Sequence, residues 1–442
     1  MITAKAWAGK HYAVYGLARS GLATVEALLA SGARVTAWDD REVARAVLSS
    51  PEFAGRELSI APLDDLTQFD SLILSPGVPL NTHPLAAAAR EAGVEIIGDI
   101  ELFARARAEL PPHKVVGITG TNGKSTTTAL VHHILQTAGV PTTMGGNIGL
   151  PILSQDPLPE SGVYVLELSS YQIDLTQSLD CEIAVLLNIT PDHLDRYDGF
   201  EAYVASKVRL FTMQTSRSFM IVDNETDALC GATMEGDDPL IIFFDDRRLA
   251  HHAVDFSEQS SWPSLQGPHN ADNAAAAVAV ASALEQLGLM ALTPKVLQRS
   301  LRTYQGLPHR MERVADRDGV SFVNDSKATN ETAAAPALAA FPAIRWIMGG
   351  RAKSERLEGC APYFGHVRAA YTIGEAGPMF AMLLRDSMPV TECGDLATAV
   401  RKAAADAQPG ETVLLSPACA SYDQFSDFEA RGDAFKALVR AL

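Results

Sequence analysis

The segment from Gly117 to Thr126 combines glycines, a lysine and hydroxyl side chains in a pattern suited to binding phosphate. It reads Gly-Ile-Thr-Gly-Thr-Asn-Gly-Lys-Ser-Thr, after a short β-prone run and before a helical pattern. Such a loop directs backbone amides at an anion, while its lysine reaches the outer phosphates and its serine can ligate Mg²⁺. The general pattern has a glycine where Ile118 stands, so an ordinary glycine-rich turn is the alternative. The sequence predicts a phosphate-binding loop containing Lys124 and Ser125.

A carboxylate and an imidazole follow two apolar runs further along the chain. Residues 163–166 and 183–187 have the composition of buried parallel strands, and Glu167 and His193 come after them. Because the carboxyl ends of parallel strands meet at one edge of a sheet, both side chains are predicted beside the phosphate loop. Mg²⁺ prefers oxygen ligands, so a surface or helix-capping histidine is the alternative for His193.

Three further polar residues in this part of the chain are Lys207, Asn270 and Asn273. Lys207 lies in a helical pattern over residues 200–211, and by itself is predicted to be a solvated helical lysine. Asn270 and Asn273 are three residues apart at the start of a long Ala-rich helix. They share one face of that helix, where they either bind a base or sugar or cap the helix.

A second glycine-rich loop, Gly16 to Gly21, lies near the start of the chain. The strand, loop, helix and strand pattern around it ends in Asp39 and Asp40, as in a Rossmann-like βαβ unit. A dinucleotide fingerprint has a glycine where Ala18 stands, so NAD is disfavoured. Binding of another nucleotide and a purely structural βαβ unit both stay open. The turn from Ser75 to Pro79 follows a later strand, where ligands bind in open α/β sheets.

Units of strand, polar loop and helix recur in the last third of the chain. The polar loops Asn324–Asn330, Gly349–Lys353 and Ser416–Ser421 each follow a short apolar strand. This repetition predicts another α/β domain, with several loops at one crevice.

The chain has 442 residues, which at about 150 residues per domain suggests about three domains. A helix broken by Pro111-Pro112 and a turn near Gly306 indicate the boundaries. The prediction is an α/β protein with a Rossmann-like domain over 1–103, a central P-loop-type ATPase domain with a mainly parallel sheet over 104–306, and a C-terminal Rossmann-like domain over 307–442.

The composition excludes several other classes of protein. A formal net charge of −17 argues against a nucleic-acid surface, which needs basic patches. The five cysteines include no Cys-x-x-Cys pair, which fits a reducing cytosol and gives no cysteine metal cluster. The N-terminus lacks a signal-peptide core, and Glu285 interrupts the Ala-rich run from Ala274 too soon for a membrane span. A cytoplasmic location is therefore expected.

The loops taken together resemble those of the Mur ligase family. The matching motifs are Gly98–Phe103, Gly117–Thr126, Gly145–Gly149, Leu166–Gln172, Asn188–Tyr197, Asn324–Asn330 and Leu415–Phe428. They follow the family order over nearly the whole chain. The resemblance also accounts for Ile118, because Gly-Thr-Asn-Gly-Lys-Ser is the form of the loop in this family.

The resemblance is closest to the members that add D-glutamate, and it implies an ATP-dependent amide ligase with two Mg²⁺ ions. The carboxylate of UDP-N-acetylmuramoyl-L-alanine would attack the γ-phosphate of ATP, and the amine of D-glutamate would displace phosphate from the acyl phosphate. No nucleic acid, no membrane insertion and a monomer are expected. A family ligase for another amino acid, such as L-glutamate, is one alternative. A P-loop ATPase regulator or a nucleotide-binding module without ligase activity is another.

The resemblance also implies roles for individual residues. The implied catalytic residues are Lys124, His193, Lys207 and Lys327. The implied ATP ligands are Gly120, Thr121, Asn122, Gly123, Lys124, Ser125, Thr126, Asn270, Asn273, Arg310 and Asp325. The implied metal ligands are Ser125, Glu167, His193 and Lys207, with Lys207 carbamylated. The implied residues for the UDP substrate are Arg19, Ser20, Asp39, Asp40, Gly77 and Asn147, and Asn147 is also implied for the transferring phosphate. The implied D-glutamate residues are Thr329, Lys353, Ser421 and Phe428.

Three positions depart from the family pattern. Ala18 replaces the middle glycine of the first loop, and Asp40 stands where a small polar residue is common. The loop after Gly350 reads Arg-Ala-Lys-Ser instead of a more glycine-rich form. These departures concern the UDP and D-glutamate sites.

Overall fold

The computed structural model describes residues 1–215, 218–230, 240–244, 254–289 and 293–442. The chain divides into two compact units, Met1–Val254 with Ala275–Leu297, and Asp255–Ala274 with Gln298–Leu442. The described part of the first unit contains two sheets, and that of the second contains one. Three mainly parallel sheets with helices confirm the predicted fold class. The domain boundaries after residues 103 and 306 stay predictions.

The first sheet is parallel, with strand order β3-β2-β1-β4-β5. Its strands are β1 (His11–Tyr15), β2 (Arg34–Trp38), β3 (Leu58–Ile60), β4 (Ser71–Leu74) and β5 (Glu95–Ile97). The helices in this part of the chain are α1 (Arg19–Ala30), α2 (Glu42–Ala46), α3 (Pro84–Glu91) and α4 (Asp99–Ala106). The glycine-rich loop after β1 therefore lies at the carboxyl edge of the central strand.

The second sheet is also parallel, with strand order β11-β10-β9-β6-β8-β7. Its strands are β6 (His113–Thr119), β7 (Thr142–Gly146), β8 (Gly162–Glu167), β9 (Ile183–Leu186), β10 (Phe219–Val222) and β11 (Leu240–Phe243). The helices are α5 (Lys124–Thr137), α6 (Ser170–Asp174), α7 (Gly199–Thr212) and α8 (Asn224–Cys230). Strands β8 and β9 flank β6 and are buried throughout, as the two apolar runs predict.

The third sheet has strand order β12-β13-β17-β14-β15-β16. Its strands are β12 (Glu312–Arg317), β13 (Val320–Asn324), β14 (Ile344–Gly349), β15 (Val367–Ile373), β16 (Val390–Gly394) and β17 (Thr412–Leu415). Only the pairing of β12 with β13 is antiparallel among its described ladders. Helices α9 (Pro268–Gln286) and α10 (Pro294–Thr303) precede this sheet along the chain. The helices that alternate with its strands are α11 (Glu331–Ala340), α12 (Gly377–Leu384), α13 (Leu396–Asp406) and α14 (Phe428–Ala441).

Short 3₁₀ helices of three or six residues complete the described elements. They lie at Lys5–Trp7, Val47–Ser49, Pro51–Phe53, Leu66–Gln68, Arg107–Glu109, Ile152–Ser154, Phe256–Ser261 and Ala361–His366. Among the described helices, none combines the length and apolar character needed to cross a bilayer.

The glycines of the segment Gly145–Gly149 suggest a flexible loop, but the first two of them belong to a strand. Gly145 and Gly146 end strand β7, which pairs with β8. Gly146 has φ +86°, and a Cβ there would lie 2.2 Å from the carbonyl oxygen of Glu167. The glycine therefore allows close backbone pairing beside a predicted metal ligand.

Candidate functional site

The lysine of the predicted phosphate loop is hydrogen-bonded to the backbone of that loop. Gly120 and Gly123 have φ +151° and +82°, conformations that favour glycine, and Gly123 precedes the first residue of α5. The Nζ of Lys124 donates to the carbonyl oxygens of Gly120 (2.8 Å) and Thr121 (2.9 Å). Ser125 is buried in the first helical turn. The loop thus places a cation and a hydroxyl at a helix N-terminus, where anions are stabilised.

The residue that departs from the general loop pattern has a structural explanation. Strand β6 continues to Thr119, so Ile118 is a buried strand residue and not part of the loop. The preceding Gly117 allows close packing, because a Cβ there would lie 2.8 Å from the Sγ of Cys181. Packing against Cys181 therefore requires glycine at position 117, one residue before the glycine of the general pattern.

The loop after β9 is hydrogen-bonded to the phosphate loop. The carbonyl oxygen of Asn188 accepts from the amide of Thr121 (2.9 Å), and its Oδ1 accepts from the amide of Asn122 (2.9 Å). The hydroxyl of Thr121 accepts from the amide of Thr190 (3.0 Å). The chain segment that carries His193 is consequently fixed against the phosphate loop.

Lys207 is buried, with a relative exposure of 2%. Its Nζ donates to the carbonyl oxygen of Gly120 (2.9 Å) and lies 4.7 Å from the ring centroid of Tyr203. Burial, followed by the nearby Lys124 charge, lowers the pKa of Lys207 to about 7. The prediction of a solvated helical lysine is wrong, because helix α7 directs this side chain at the phosphate loop.

Glu167 presents a carboxylate oxygen suited to a cation. Its Oε1 accepts from the Nδ2 of Asn147 (3.1 Å), whereas Oε2 is buried and has no hydrogen-bond partner within the described part of the chain. An unpaired buried carboxylate oxygen is costly unless a cation or donor compensates it. The donor set therefore fits Mg²⁺, although the described residues contain no group of three His, Cys, Asp or Glu side chains arranged to hold a metal.

His193 lies on the surface loop after β9 and caps none of the described helices. Its side chain is 46% exposed, and its φ of +53° is unusual for a residue other than glycine. Its ring centroid is 5.0 Å from that of Tyr171 and 6.3 Å from that of Tyr203. Tyr203, which was not predicted, also lies here, with its hydroxyl 3.3 Å from that of Thr121. Its position four residues before Lys207, on the same helical face, is the signal that was available.

All six residues predicted for the UDP substrate line one cavity of about 630 Å³ in the first unit. They are Arg19, Ser20, Asp39, Asp40, Gly77 and Asn147. The turn Ser75–Pro79 also contributes to the lining, as does Ala18. The cavity therefore lies at the carboxyl edge of the first sheet, where ligands bind in open α/β folds.

Asp39 organises the glycine-rich loop after β1. Its carboxylate accepts from the amides of Leu17 (2.8 Å) and Arg41 (2.9 Å), and from the guanidinium of Arg41. These hydrogen bonds lower the pKa of Asp39 to about 2. Arg19 extends from the start of α1 and donates to the carbonyl oxygen of Gly149 (2.6 Å). The loop is thus held by an ionised carboxylate.

Two residues of the same cavity were not predicted. The Tyr15 hydroxyl donates to Oδ2 of Asp40 (2.8 Å) and lies 3.1 Å from Nε2 of His83. Burial and the Asp40 carboxylate raise the pKa of Tyr15 to about 12. Asp40, which departs from the family pattern, is therefore oriented by a tyrosine from β1.

In the second unit, Asp325 is a buried acid at the end of β13. Its carboxylate accepts from the Ser416 hydroxyl (2.8 Å) and from the Met311 amide (3.2 Å). Burial raises the pKa of Asp325 to about 7. The arrangement joins the predicted loops Asn324–Asn330 and Ser416–Ser421.

The residues predicted for D-glutamate lie on these two loops, on the loop after β14 and at the start of α14, and Lys327 lies on the first of the two loops. The Nζ of Lys327 is 5.6 Å from the ring centroid of Phe428, and Ser421 is buried. Lys353 is exposed in the loop after β14, and Thr329 is half-buried. A buried arginine that the sequence analysis missed, Arg431, donates to Ser326 and to the carbonyl oxygen of Cys419. Its sequence environment, an ordinary helix start, gave no signal of burial.

Arg310 and the two asparagines predicted for ATP also belong to the second unit. Helix α9 begins at Pro268, so Asn270 and Asn273 lie inside the helix instead of at its cap. The Nδ2 of Asn273 donates to Oδ1 of Asn270 (3.0 Å). Arg310 lies near Asp325, and the positive charge of this arginine favours the ionised form of the Asp325 carboxylate.

Three family models match consecutive parts of the chain. "Mur ligase MurD-like, N-terminal domain" matches residues 10–98, "Mur ligase middle domain" matches 118–281, and "Mur ligase, glutamate ligase domain" matches 309–419. Each matched range contains the strands of one sheet or most of them.

Curated relatives match over the full length of the chain. A protein of Novosphingobium aromaticivorans named UDP-N-acetylmuramoylalanine--D-glutamate ligase is 58% identical over 100% of this chain and 97% of its own length. A protein of Sphingopyxis alaskensis with the same name is 57% identical over 100% of both chains. The crystal structure of the UDP-N-acetylmuramate-alanine ligase MurC from Thermotoga maritima has a TM-score of 0.55 at 15% identity, covering 98% of this chain and 99% of that one. This structural likeness concerns the fold.

Proposed function

The chain belongs to the Mur ligase family, and we propose that it joins D-glutamate to UDP-N-acetylmuramoyl-L-alanine in an ATP-dependent reaction. The full-length identity of 58% with a relative of that named activity carries this conclusion. The reaction belongs to the synthesis of peptidoglycan precursors, for which the cytoplasm is the proposed location. A monomer is the proposed oligomeric state.

The phosphoryl-transfer half of the reaction takes place at the phosphate loop of the first unit. The substrate carboxylate attacks the γ-phosphate of ATP, ADP leaves, and an acyl phosphate forms. Both reacting groups are anions, so their approach requires positive charge that is already in place. Lys124 and the amides of Gly120–Thr126 supply that charge, with the helix N-terminus behind them.

The residues around this loop fit a Mg²⁺ site. Glu167, whose buried Oε2 has no hydrogen-bond partner among the described residues, and Ser125 would hold one ion. His193 and Lys207 would take part in holding a second. Bound Mg²⁺ would neutralise charge on the phosphate oxygens. Addition of CO₂ to the neutral amine of Lys207, with loss of a proton, would give a carbamate with the oxygen ligands that this metal prefers. The burial of Lys207 beside a second lysine supports this modification.

The cavity of the first sheet holds the UDP part of the substrate. Its lining offers the carboxylates of Asp39 and Asp40, the guanidinium of Arg19 and the hydroxyl of Ser20. Asn147 lines the cavity and also donates to Glu167. This asparagine links the cavity to Glu167, a proposed metal ligand, which supports placing the reacting carboxylate beside it.

The second unit carries the residues proposed for D-glutamate. D-Glutamate has two carboxylates, for which Lys353, Thr329 and Ser421 offer a cation and two hydroxyls, and Phe428 offers an apolar contact. The amine attacks the acyl carbon, and inorganic phosphate leaves from a tetrahedral intermediate. Lys327 would neutralise charge on the departing phosphate. The proposed ATP residues of this unit are Asn270, Asn273, Arg310 and Asp325.

Release of phosphate with defined substrates tests the proposal. The purified protein is incubated with ATP, Mg²⁺ and UDP-N-acetylmuramoyl-L-alanine, with D-glutamate, L-glutamate, L-lysine or diaminopimelate added in turn. We expect release to require both the acceptor and an amino acid, with a strong preference for D-glutamate. Preference for another amino acid would assign a different ligase activity. Release that is independent of both substrates would instead indicate an ATPase without ligase function.

A further inference from the structure

Arg196 connects two loops of the first unit that follow strands of different sheets. Its Nη1 donates to the carbonyl oxygen of Gly77 (3.3 Å), and its Nη2 donates to that of Val78 (3.1 Å). Both partners belong to the turn after β4 that lines the UDP cavity. Arg196 itself lies in the loop after β9, three residues beyond His193.

The same arginine closes the turn that contains His193. The backbone amide of Arg196 donates to the carbonyl oxygen of His193 (2.9 Å). His193 has a left-handed backbone conformation, with φ +53°, which is unfavourable for a residue with a Cβ. Such a conformation persists only where the surrounding contacts enforce it. Anchoring Arg196 therefore helps to fix the backbone of His193.

Aromatic contacts extend this connection to the His193 side chain. The guanidinium carbon of Arg196 lies 4.2 Å from the ring centroid of Tyr171, within the range of a cation–π contact. The Tyr171 ring in turn lies 5.0 Å from the imidazole of His193. One guanidinium group thus touches the turn of the UDP cavity and the ring that packs against His193.

We propose that Arg196 is a positioning residue that couples occupancy of the UDP cavity to the placement of His193. The roles of the cavity and of His193 rest on the function proposed above. A planar guanidinium can donate to two carbonyl groups while stacking on a ring, whereas a lysine ammonium cannot reproduce this geometry. Arg196 acts through the two loops and does not itself touch the reacting atoms.

Steady-state kinetics of Arg196→Ala, Arg196→Lys and Arg107→Ala test this proposal. Arg107 is the matched control because its partners, Asp180 and Glu182, precede β9, whereas Arg196 follows this strand. We expect Arg196→Ala to raise KM for UDP-N-acetylmuramoyl-L-alanine and to lower kcat, each by about tenfold, since it removes two hydrogen bonds from a charged donor. Arg196→Lys should fall between Arg196→Ala and the wild type, and KM for ATP should not change. Normal kinetics for Arg196→Ala would overturn the proposal, as would equal losses in Arg107→Ala.

Hydrogen exchange provides a readout that is independent of ligase activity. UDP alone is added to the wild type and to the Arg196→Ala and Arg107→Ala variants, and exchange of the amides of residues 188–197 is followed by mass spectrometry. UDP should protect these amides in the wild type and in Arg107→Ala, but not in Arg196→Ala. Equal protection in Arg196→Ala, or no UDP-dependent protection in the wild type, would contradict the coupling. Failure of the wild type to ligate the proposed substrates would refute the proposed function and leave this readout interpretable.

Discussion

Two glycine-rich loops of the first unit share a backbone layout but differ in the charge that holds them. One follows β1 and precedes α1, and the other follows β6 and precedes α5. In the first loop, the Asp39 carboxylate accepts from the amide of Leu17. In the second loop, the Lys124 ammonium donates to the carbonyl oxygens of Gly120 and Thr121.

This difference favours different ligands at the two loops. A carboxylate next to loop amides disfavours a phosphate group at that position and suits a ligand with hydroxyl or N–H donors. An ammonium at a helix N-terminus suits a polyphosphate. The strand, loop and helix arrangement therefore fixes only where a ligand binds, and one charged side chain selects its chemistry.

Substitution of the charge in the second loop should have the largest effect. Lys124→Ala is expected to lower kcat by about 10²-fold or more, because the lost charge acts mainly in the transition state. Steady-state phosphate release at saturating substrates measures the effect. By contrast, Arg19→Ala, at the start of α1 after the first loop, should mainly raise KM for the UDP substrate. A kcat for Lys124→Ala equal to that of the wild type would remove this loop from the mechanism.

Replacement of Lys207 tests the second lysine at the same loop. Lys207→Ala should lower kcat by roughly 10²-fold, because it removes a proposed oxygen ligand of the metal. Short carboxylic acids such as acetate or formate should restore part of the activity by occupying the vacated space. Lys207→Arg keeps a positive charge but forms no carbamate, so it should stay inactive with or without the acids. Absence of rescue in Lys207→Ala would count against the carbamate.

Removal of the negative charge that holds the first loop should weaken binding of the UDP substrate. Asp39→Asn should raise KM for the UDP substrate by about tenfold and leave kcat unchanged, because hydrogen bonds to an ionised acceptor are about twice as strong as neutral ones. Initial rates over a range of UDP-substrate concentrations provide the measurement. A fall in kcat with unchanged KM would show that the two loops do not divide their roles in this way.

The depressed pKa of Asp39 also predicts a pH dependence of stability. In the unfolded chain its pKa is about 3.9, whereas Arg41 and two amides lower it to about 2 in the folded protein. The unfolded state binds more protons between these values, so the stabilisation is present above about pH 4 and is lost as the pH falls towards 2. Urea unfolding of the wild type and Asp39→Asn should therefore show a difference of at most about 3 kcal/mol at pH 6 that narrows below pH 4. A difference that is constant from pH 6 to pH 3 would refute this linkage.

The sequence predicted the elements whose residues form continuous apolar runs. Strands β8 and β9 lie within one residue of the predicted runs 163–166 and 183–187, since each run is apolar throughout and is followed by a polar residue. Strand β7 was missed because its sequence, Thr-Thr-Met-Gly-Gly, contains two glycines, which are depleted in strands. Local composition reports little about a strand whose glycines serve close pairing with β8.

The sequence did not predict those side-chain environments that depend on residues far apart in the chain. Lys207 is buried, and its amine donates to the carbonyl oxygen of Gly120, 87 residues earlier in the chain. Tyr15 orients Asp40 across two strands, and Arg431 is enclosed by Ser326 and Cys419. The loops proposed to carry the chemistry were predicted from their residue types, whereas the contacts that orient them depend on tertiary packing.

Isotope transfer from the substrate carboxylate to phosphate tests the central claim most directly. UDP-N-acetylmuramoyl-L-alanine labelled with ¹⁸O in its alanine carboxylate is incubated with ATP, D-glutamate and the enzyme, and the released phosphate is analysed by mass spectrometry. An acyl phosphate predicts that each phosphate carries one oxygen from the carboxylate, because that oxygen forms the bond to phosphorus and leaves with it. Amide product accompanied by unlabelled phosphate would contradict phosphorylation of the carboxylate at the Lys124 loop.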